Sequence, residues 1–239
     1  MVMKKSGSYI FLLVSIVIAL YSCSDMNDMH DEYLAGGERI YIGKIDSLKT
    51  FAGDGRIKLR FWASDPRAKA VGFYWYPNND SLFVDINHTS STESFEVYIG
   101  GTSSTKTISE GNYTLKVITQ DDKGHFSIPF EKIINIYGDR FRSTLVNRVL
   151  KSFVYQVSDA SLSLTFSGPI NDKEIGIEIS YTDKDGTGKT LVLADTEVTT
   201  PMKLLNVDKT KPVSYRTMFH PEPNAIDVFY ASSKTITIP

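Results

Sequence analysis

The chain has 239 residues, a formal net charge of −2 and a single cysteine, Cys23. That length holds two domains of about 100 residues each once a short leader is set aside, and a lone cysteine excludes internal disulfides, so stability has to come from packed cores. Charges of both signs are interspersed without a basic stripe, which removes nucleic acid from the expected partners.

Lys4 and Lys5 precede a run from Tyr9 to Leu20 that is apolar apart from Tyr9 and Ser15, and Leu20-Tyr21-Ser22-Cys23 follows at once. Charged, apolar and small residues in that order make a secretory signal. The run is too short to span a bilayer, which takes about 20 residues. The tetrapeptide resembles the lipobox of bacterial lipoproteins. The resemblance implies cleavage before Cys23, diacylation of its sulfur, acylation of its new amino group, and anchoring in outer-membrane lipid. Two or three acyl chains hold stably at about 0.8 kcal/mol per buried CH₂. Next come Ser24-Asp25-Met26-Asn27-Asp28, Asp31 and Glu32. This acidic stretch resembles the surface-export signal of Bacteroidota lipoproteins; a plain polar tether is the other reading. Residues from Ser24 to Gly37 show no hydrophobic period and reach about 45–50 Å when extended. The expectation is a signal peptide over 1–22, a lipidated Cys and flexible tether over 23–37, and a surface-exposed, lipid-anchored protein of the outer membrane.

From Glu38 onward the pattern is strand and turn. Ile57, Leu59 and Phe61 alternate with Lys58 and Arg60, which leaves Trp62 one step off the apolar set. Val71, Phe73 and Trp75 alternate with Gly72, Tyr74 and Tyr76; Leu82, Val84 and Ile86 with Phe83, Asp85 and Asn87; Phe95, Val97 and Ile99 with Glu96 and Tyr98. Period-two alternation sends one set to a buried face and the other outward. The breaks at Asp54-Gly55, Asp65-Pro66, Pro77-Asn78-Asn79-Asp80 and Gly100-Gly101 are turn chemistry. Short strands at this spacing predict an antiparallel sandwich rather than βα units.

Tyr113, Leu115, Val117 and Thr119 then alternate, followed by Asp121, Gly124 and Ser127. This stretch resembles the sixth strand and turn of fibronectin type III domains. There the tyrosine forms a corner, its hydroxyl bonding to backbone just upstream, so the resemblance makes Tyr113 structural. A second unit repeats the pattern: Leu162, Leu164 and Phe166; Ile175, Ile177, Ile179 and Tyr181; Leu191 and Leu193; then Val213, Tyr215, Thr217 and Phe219, with Tyr215 as the matching corner, before Ile236 and Ile238. Leu145, Val146, Val149 and Leu150 fit a helical stripe about as well as a strand; a first strand with an irregular start is preferred. The predicted fold is all-β, two tandem antiparallel β-sandwiches of fibronectin III or Ig-like type, over 38–138 and 139–239, each of seven strands.

Gly43-Lys44-Ile45-Asp46-Ser47-Leu48, Trp75, Tyr137-Gly138, Asn147-Arg148 and Pro221-Glu222-Pro223-Asn224-Ala225-Ile226-Asp227 together resemble a Bacteroidota surface lipoprotein family of unknown function, often encoded near glycan-uptake genes. The resemblance implies a non-enzymatic accessory or adhesion role.

Three motifs come close to chemistry. Gly188-Lys189-Thr190 ends like a P-loop, but Asp183 stands where the first glycine belongs, and the region is a hairpin. Asp183-Lys184-Asp185-Gly186 resembles the start of a calcium loop, yet Ala194 occupies the position of the bidentate glutamate, and Asp-Gly is a favoured hairpin turn. His30, His88, His125 and His220 show no ligand spacing. No metal, cofactor or catalytic residue is expected. A carboxylate pair for glycoside hydrolysis, being a spatial arrangement, stays open as the alternative, as does a purely structural spacer. The ligand-binding candidates are Tyr74 and Tyr76, which face away from the core where flat rings stack on sugars; the competing reading is that they cover their own sheet or pack on the second module. The segment Pro221 to Tyr230 is too elaborate for a bare turn and is expected to fold over its own sheet. The partners expected beyond lipid are a glycan or an envelope protein.

Overall fold

Alternating apolar residues and Gly/Asn/Asp/Pro breaks build fifteen strands in the computed structural model, which describes residues 37, 39–88, 90, 93–198 and 201–239. The signal, Cys23 and nearly all of the tether, including His30, lie outside the described residues. All of the strands belong to one compact unit, residues 42–239.

The first sandwich has two sheets. β1 (Ser47–Ala52), β2 (Arg56–Trp62) and β5 (Ser94–Gly100) pair in the order β1-β2-β5. β3 (Ala70–Tyr76), β4 (Asp80–Asp85), β6 (Gly111–Gln120) and β7 (Phe130–Ile136) pair in the order β4-β3-β6-β7. Every pairing between these strands is antiparallel. Between the sheets lie Leu59, Phe61, Val71, Phe73, Trp75 and Leu115, all fully buried. Phe61 meets Phe73 edge-on, with ring centroids 5.3 Å apart, a geometry aromatic pairs favour. Trp62 is only partly buried, as its off-register place requires. The Tyr113 hydroxyl donates to the Ser109 carbonyl at 3.0 Å, closing the turn into β6 four residues upstream, while its ring joins the core.

The second sandwich has eight strands where seven were expected. β8 (Leu150–Gln156), β9 (Ser161–Phe166) and β12 (Met202–Leu204) pair in the order β12-β9-β8; β10 (Glu174–Thr182), β11 (Gly188–Ala194) and β13 (Val213–Phe219) pair in the order β11-β10-β13. The last strand is split into β14 (Phe229–Tyr230) and β15 (Lys234–Ile236), both against β13. Leu162, Leu164, Ile177, Ile179 and Val213 fill the core. At Gly176 (φ +153°), beside a register shift in β10, an added Cβ would lie 2.0 Å from the Leu193 carbonyl oxygen, so the backbones approach too closely for a side chain.

Residues 145–149 are neither helix nor strand. A five-residue helix, α1 (Asp139–Ser143), precedes them, and β8 starts at Leu150. Leu145 instead packs with Phe219, Phe229, Ala231, Tyr137 and Phe141 in a small separate cluster, while Arg148 turns inward. Its Nε donates to Glu174 Oε1 at 2.6 Å with both side chains buried, and its Nη2 also pairs with Asp195. The apolar spacing of 145–150 thus serves two cores, not one regular element.

Tyr215 is not a local corner. Its hydroxyl donates to the Arg148 carbonyl at 3.3 Å, 67 residues upstream, and burial raises its pKa. The strand pattern matches that of Tyr113, but the chain entering β8, not the turn before β13, supplies the acceptor.

Candidate functional site

Register decides which side chains share the outer face of the β4-β3-β6-β7 sheet, because directly paired residues point to the same side. Gly72 pairs with Phe83 and Ile118, Tyr74 with Ser81 and Lys116, and Tyr76 with Thr114, which in turn pairs with Ile133. Asn112 and Asn135 form the next row. Phe83 is 56 % exposed, Tyr76 41 % and Ile133 74 %.

Tyr74 and Tyr76 share this face but differ in what they can do. A Cβ on Gly72 would come within 3.0 Å of both Phe83 and Tyr74, so these two rings lean over the glycine and cover bare backbone. They meet edge-on at 5.6 Å. Tyr74 is half-buried in this role, whereas Tyr76 and Phe83 keep free surface. Sequence reasoning missed Phe83 as a candidate, although its place opposite the apolar set of β4 was signal enough.

The segment Pro221 to Tyr230 lies on its own sheet only at its end, where Phe229 and Tyr230 pair with β13; the part before that reaches the first sandwich. Asp227 accepts from Arg56 Nε at 2.8 Å and Nη2 at 2.5 Å and from the Asp54 backbone N–H at 2.9 Å. The Ile226 N–H donates to the Ala52 carbonyl at 2.8 Å. Glu222 Oε1 accepts from Asn135 Nδ2 and from the Tyr137 hydroxyl, at 3.1 and 3.2 Å. On the other side of the junction, the Glu110 carboxylate accepts from the Arg140 and Phe141 N–H groups at 2.7 and 2.8 Å, satisfying donors that open α1. The Arg56 guanidinium holds the Asp227 carboxyl below the usual carboxylate range against the opposing effect of burial. Burial and the neighbouring Glu222 push the Tyr137 hydroxyl up.

These bonds also bear on catalysis by paired carboxylates. Asp54 and Asp227 line one groove, but Asp227 is paired with Arg56, and Asp54 with Arg142. Among the described residues every acidic side chain with a displaced pKa is displaced downward, Asp65, Asp159 and Asp227 among them. A glycosidase general acid needs the opposite displacement. Asp183 accepts from the Asp185 and Thr187 N–H groups at 3.1 and 2.9 Å, which makes its loop a side-chain-braced hairpin turn. Among the described residues no group of three or more His, Cys, Asp or Glu gathers to hold a metal.

The model of a family described as a domain of unknown function, DUF4998, matches residues 23–229. The chain belongs to the DUF4998 family. No curated protein sequence matches this DUF4998 chain. Its fold is similar to a segment of two fibronectin type III domains from chicken tenascin (12 % identity, TM-score 0.33, covering 82 % of this chain and 99 % of that one). It is also similar to the FN1–FN3 domains of chicken CNTN1 (14 %, TM-score 0.39, covering 83 % and 66 %). A third similar structure is a 1.5-MDa bacterial ice-binding adhesin described in terms of host cell surface retention (11 %, TM-score 0.39, covering 84 % and 65 %). The DUF4998 chain thus spans about two thirds of the second and third of these structures; its sandwich fold rests on its own strands and registers. Tyr137, Gly138 and the 221–227 segment, far apart in sequence, lie at or beside the contact between the two sandwiches, whereas Asn147 and Arg148 bond within the second, to Thr217, Ser232 and Glu174.

Proposed function

We propose that this DUF4998 chain is a non-enzymatic, lipid-anchored surface protein of the bacterial outer membrane that binds a neutral glycan on the outer face of the β4-β3-β6-β7 sheet. One observation carries the reading: Tyr76, Phe83 and Ile133 are each exposed on the same sheet face. Exposed apolar groupings on otherwise soluble surfaces mark interaction sites. In the register rows of this face from Gly72 to Tyr76 the charged side chains are Lys116 and Glu131, cross-strand neighbours of opposite sign. The remaining polar groups, Ser81, Thr114 and, in the next row, Asn112, are hydroxyls and an amide, the partners that sugar hydroxyls need, and aromatic rings stack on the C–H faces of sugars. A carboxylate-rich or phosphorylated ligand would meet the Glu131 carboxylate beside the one cation of these rows, Lys116.

Anchoring rests on the leader and lipobox, and the family match beginning at Cys23 supports that residue as the mature N-terminus. No helix among the described residues is long and apolar enough to cross a membrane. Mass spectrometry of the native N-terminus tests the anchor: an acylated Cys23 is expected, and an unacylated N-terminus or a retained 1–22 segment overturns it. A glycan array paired with pull-down from outer-membrane extract tests the ligand. Array binding to neutral glycans is expected. Capture of an envelope protein with a silent array replaces the glycan by a protein partner. The clamp at Asp227 favours one second reading, a stiff spacer, and silence in both assays selects it.

A further inference from the structure

The second sandwich carries an edge of a different kind, and its argument is independent of the glycan face. β8 is the terminal strand of the β12-β9-β8 sheet and pairs with β9 alone. Lys151, Ser152, Phe153 and Val154 are four consecutive exposed residues, and Val149 and Val157 flank the strand, also exposed. Val154 is 52 % exposed and Val157 76 %. An exposed apolar edge strand presents a row of unpaired N–H and C=O groups ready to template another strand, and proteins ordinarily blunt such edges with charge, proline or a bulge. Here the bulge and the one charge coincide at Lys151, where the register with β9 shifts between Leu150 and Ser152. The segment from Ser152 to Gln156 has neither charge nor proline.

We infer that β8 pairs antiparallel with β8 of a second copy of this chain, about a twofold axis at Val154. Antiparallel partners share a face, so the axis must pass through a residue rather than between two. Centred on Val154, the pairing sets Val154 against Val154, Phe153 against Tyr155 and Ser152 against Gln156. Apolar meets apolar, polar meets polar, and Lys151 falls opposite Val157. Centred on Phe153, the same strands would set Val154 against Ser152 and Tyr155 against Lys151. The twofold at Val154 makes a self-complementary patch of the kind a symmetric dimer uses. Cross-strand aromatic pairs such as Phe153 with Tyr155 are the favourable unit of such sheets. The two three-stranded sheets join into one of six. The paired segment is short, so the dimer is weak and depends on concentration, as befits molecules crowded on one surface.

Covalent trapping tests this in the full chain. Val154→Cys and, as the control, Val192→Cys on another exposed edge strand, β11, are oxidised beside the unmodified chain, which reports any background from Cys23. Circular dichroism checks that both variants keep the fold. The expected result is a disulfide dimer of twice the chain mass from Val154→Cys, with Val192→Cys at the level of the unmodified chain. Mixing Ser152→Cys with Gln156→Cys chains should give the mixed dimer in excess of either self-dimer. Equal trapping at Val154 and Val192 overturns the interface. Cross-linking of Val154→Cys to a different protein overturns the second-copy assignment, and no excess of the mixed dimer overturns the register.

Discussion

Removing the Asp227 carboxylate should weaken the coupling between the two sandwiches. Asp227 accepts two hydrogen bonds from Arg56 and one from the Asp54 backbone, and the Arg56 and Asp227 side chains are 29 % and 21 % exposed. That places the pair between an exposed ion pair, worth at most about 1 kcal/mol, and a buried one, whose breakage costs about 3–5 kcal/mol. Bidentate geometry adds to it. A double-mutant cycle of Arg56→Ala and Asp227→Ala should therefore give a coupling energy of about 2 kcal/mol. The assay is built into the sequence: both tryptophans, Trp62 and Trp75, belong to the first sandwich, so their fluorescence follows that sandwich alone while far-UV circular dichroism follows both. The wild type should unfold with coincident transitions, and Asp227→Ala should separate them. The sign of the pH effect follows from the depressed carboxyl of Asp227. Its contribution is full above the unfolded aspartate pKa of about 3.9 and is lost as pH falls through the lower folded value. A coupling energy near zero would refute the clamp.

Glu174→Gln should destabilise the second sandwich by about 3 kcal/mol in denaturant titrations, because it leaves the buried Arg148 guanidinium with only the partly exposed Asp195. Tyr113→Phe should cost about 1 kcal/mol through the lost bond to Ser109. It should shift the tryptophan transition, whereas Tyr215→Phe, whose hydroxyl serves Arg148, should lower the stability of the second sandwich at a similar cost.

Burial along single strands was legible because it is a local, period-two property. Phe61 rather than Trp62 fills the first core, and Phe83 points out between Leu82 and Val84, as alternation requires. What joins distant parts was not legible. Asp227 meets Arg56 across 171 residues, and a carboxylate–guanidinium pair leaves no periodic trace in either segment. Tyr113 and Tyr215 sit on equivalent alternating strands, yet their hydroxyls find a local and a remote carbonyl, since the acceptor depends on which backbone packs beside the ring. Leu145 and Leu150 look like one apolar stripe but serve separate clusters, because Arg148 between them turns inward to Glu174. The candidate face was half legible. Alternation placed Tyr74 and Tyr76 outward, but only the absent Cβ of Gly72 shows that Tyr74 is spent on covering the sheet and that Phe83 shares the exposed surface with Tyr76.

Binding of the mature chain to the neutral glycans selected on the array, compared with the double variant Tyr76→Ala, Phe83→Ala, tests the central claim most directly. Phe83 also covers Gly72 and meets Tyr74, so the tryptophan-monitored unfolding midpoint is measured beside binding, and the comparison is made at a temperature where both chains are fully folded. The account predicts that the double variant loses at least about tenfold in affinity, or ~1.4 kcal/mol. Full-strength binding by the variant would contradict it and remove this sheet face from the site.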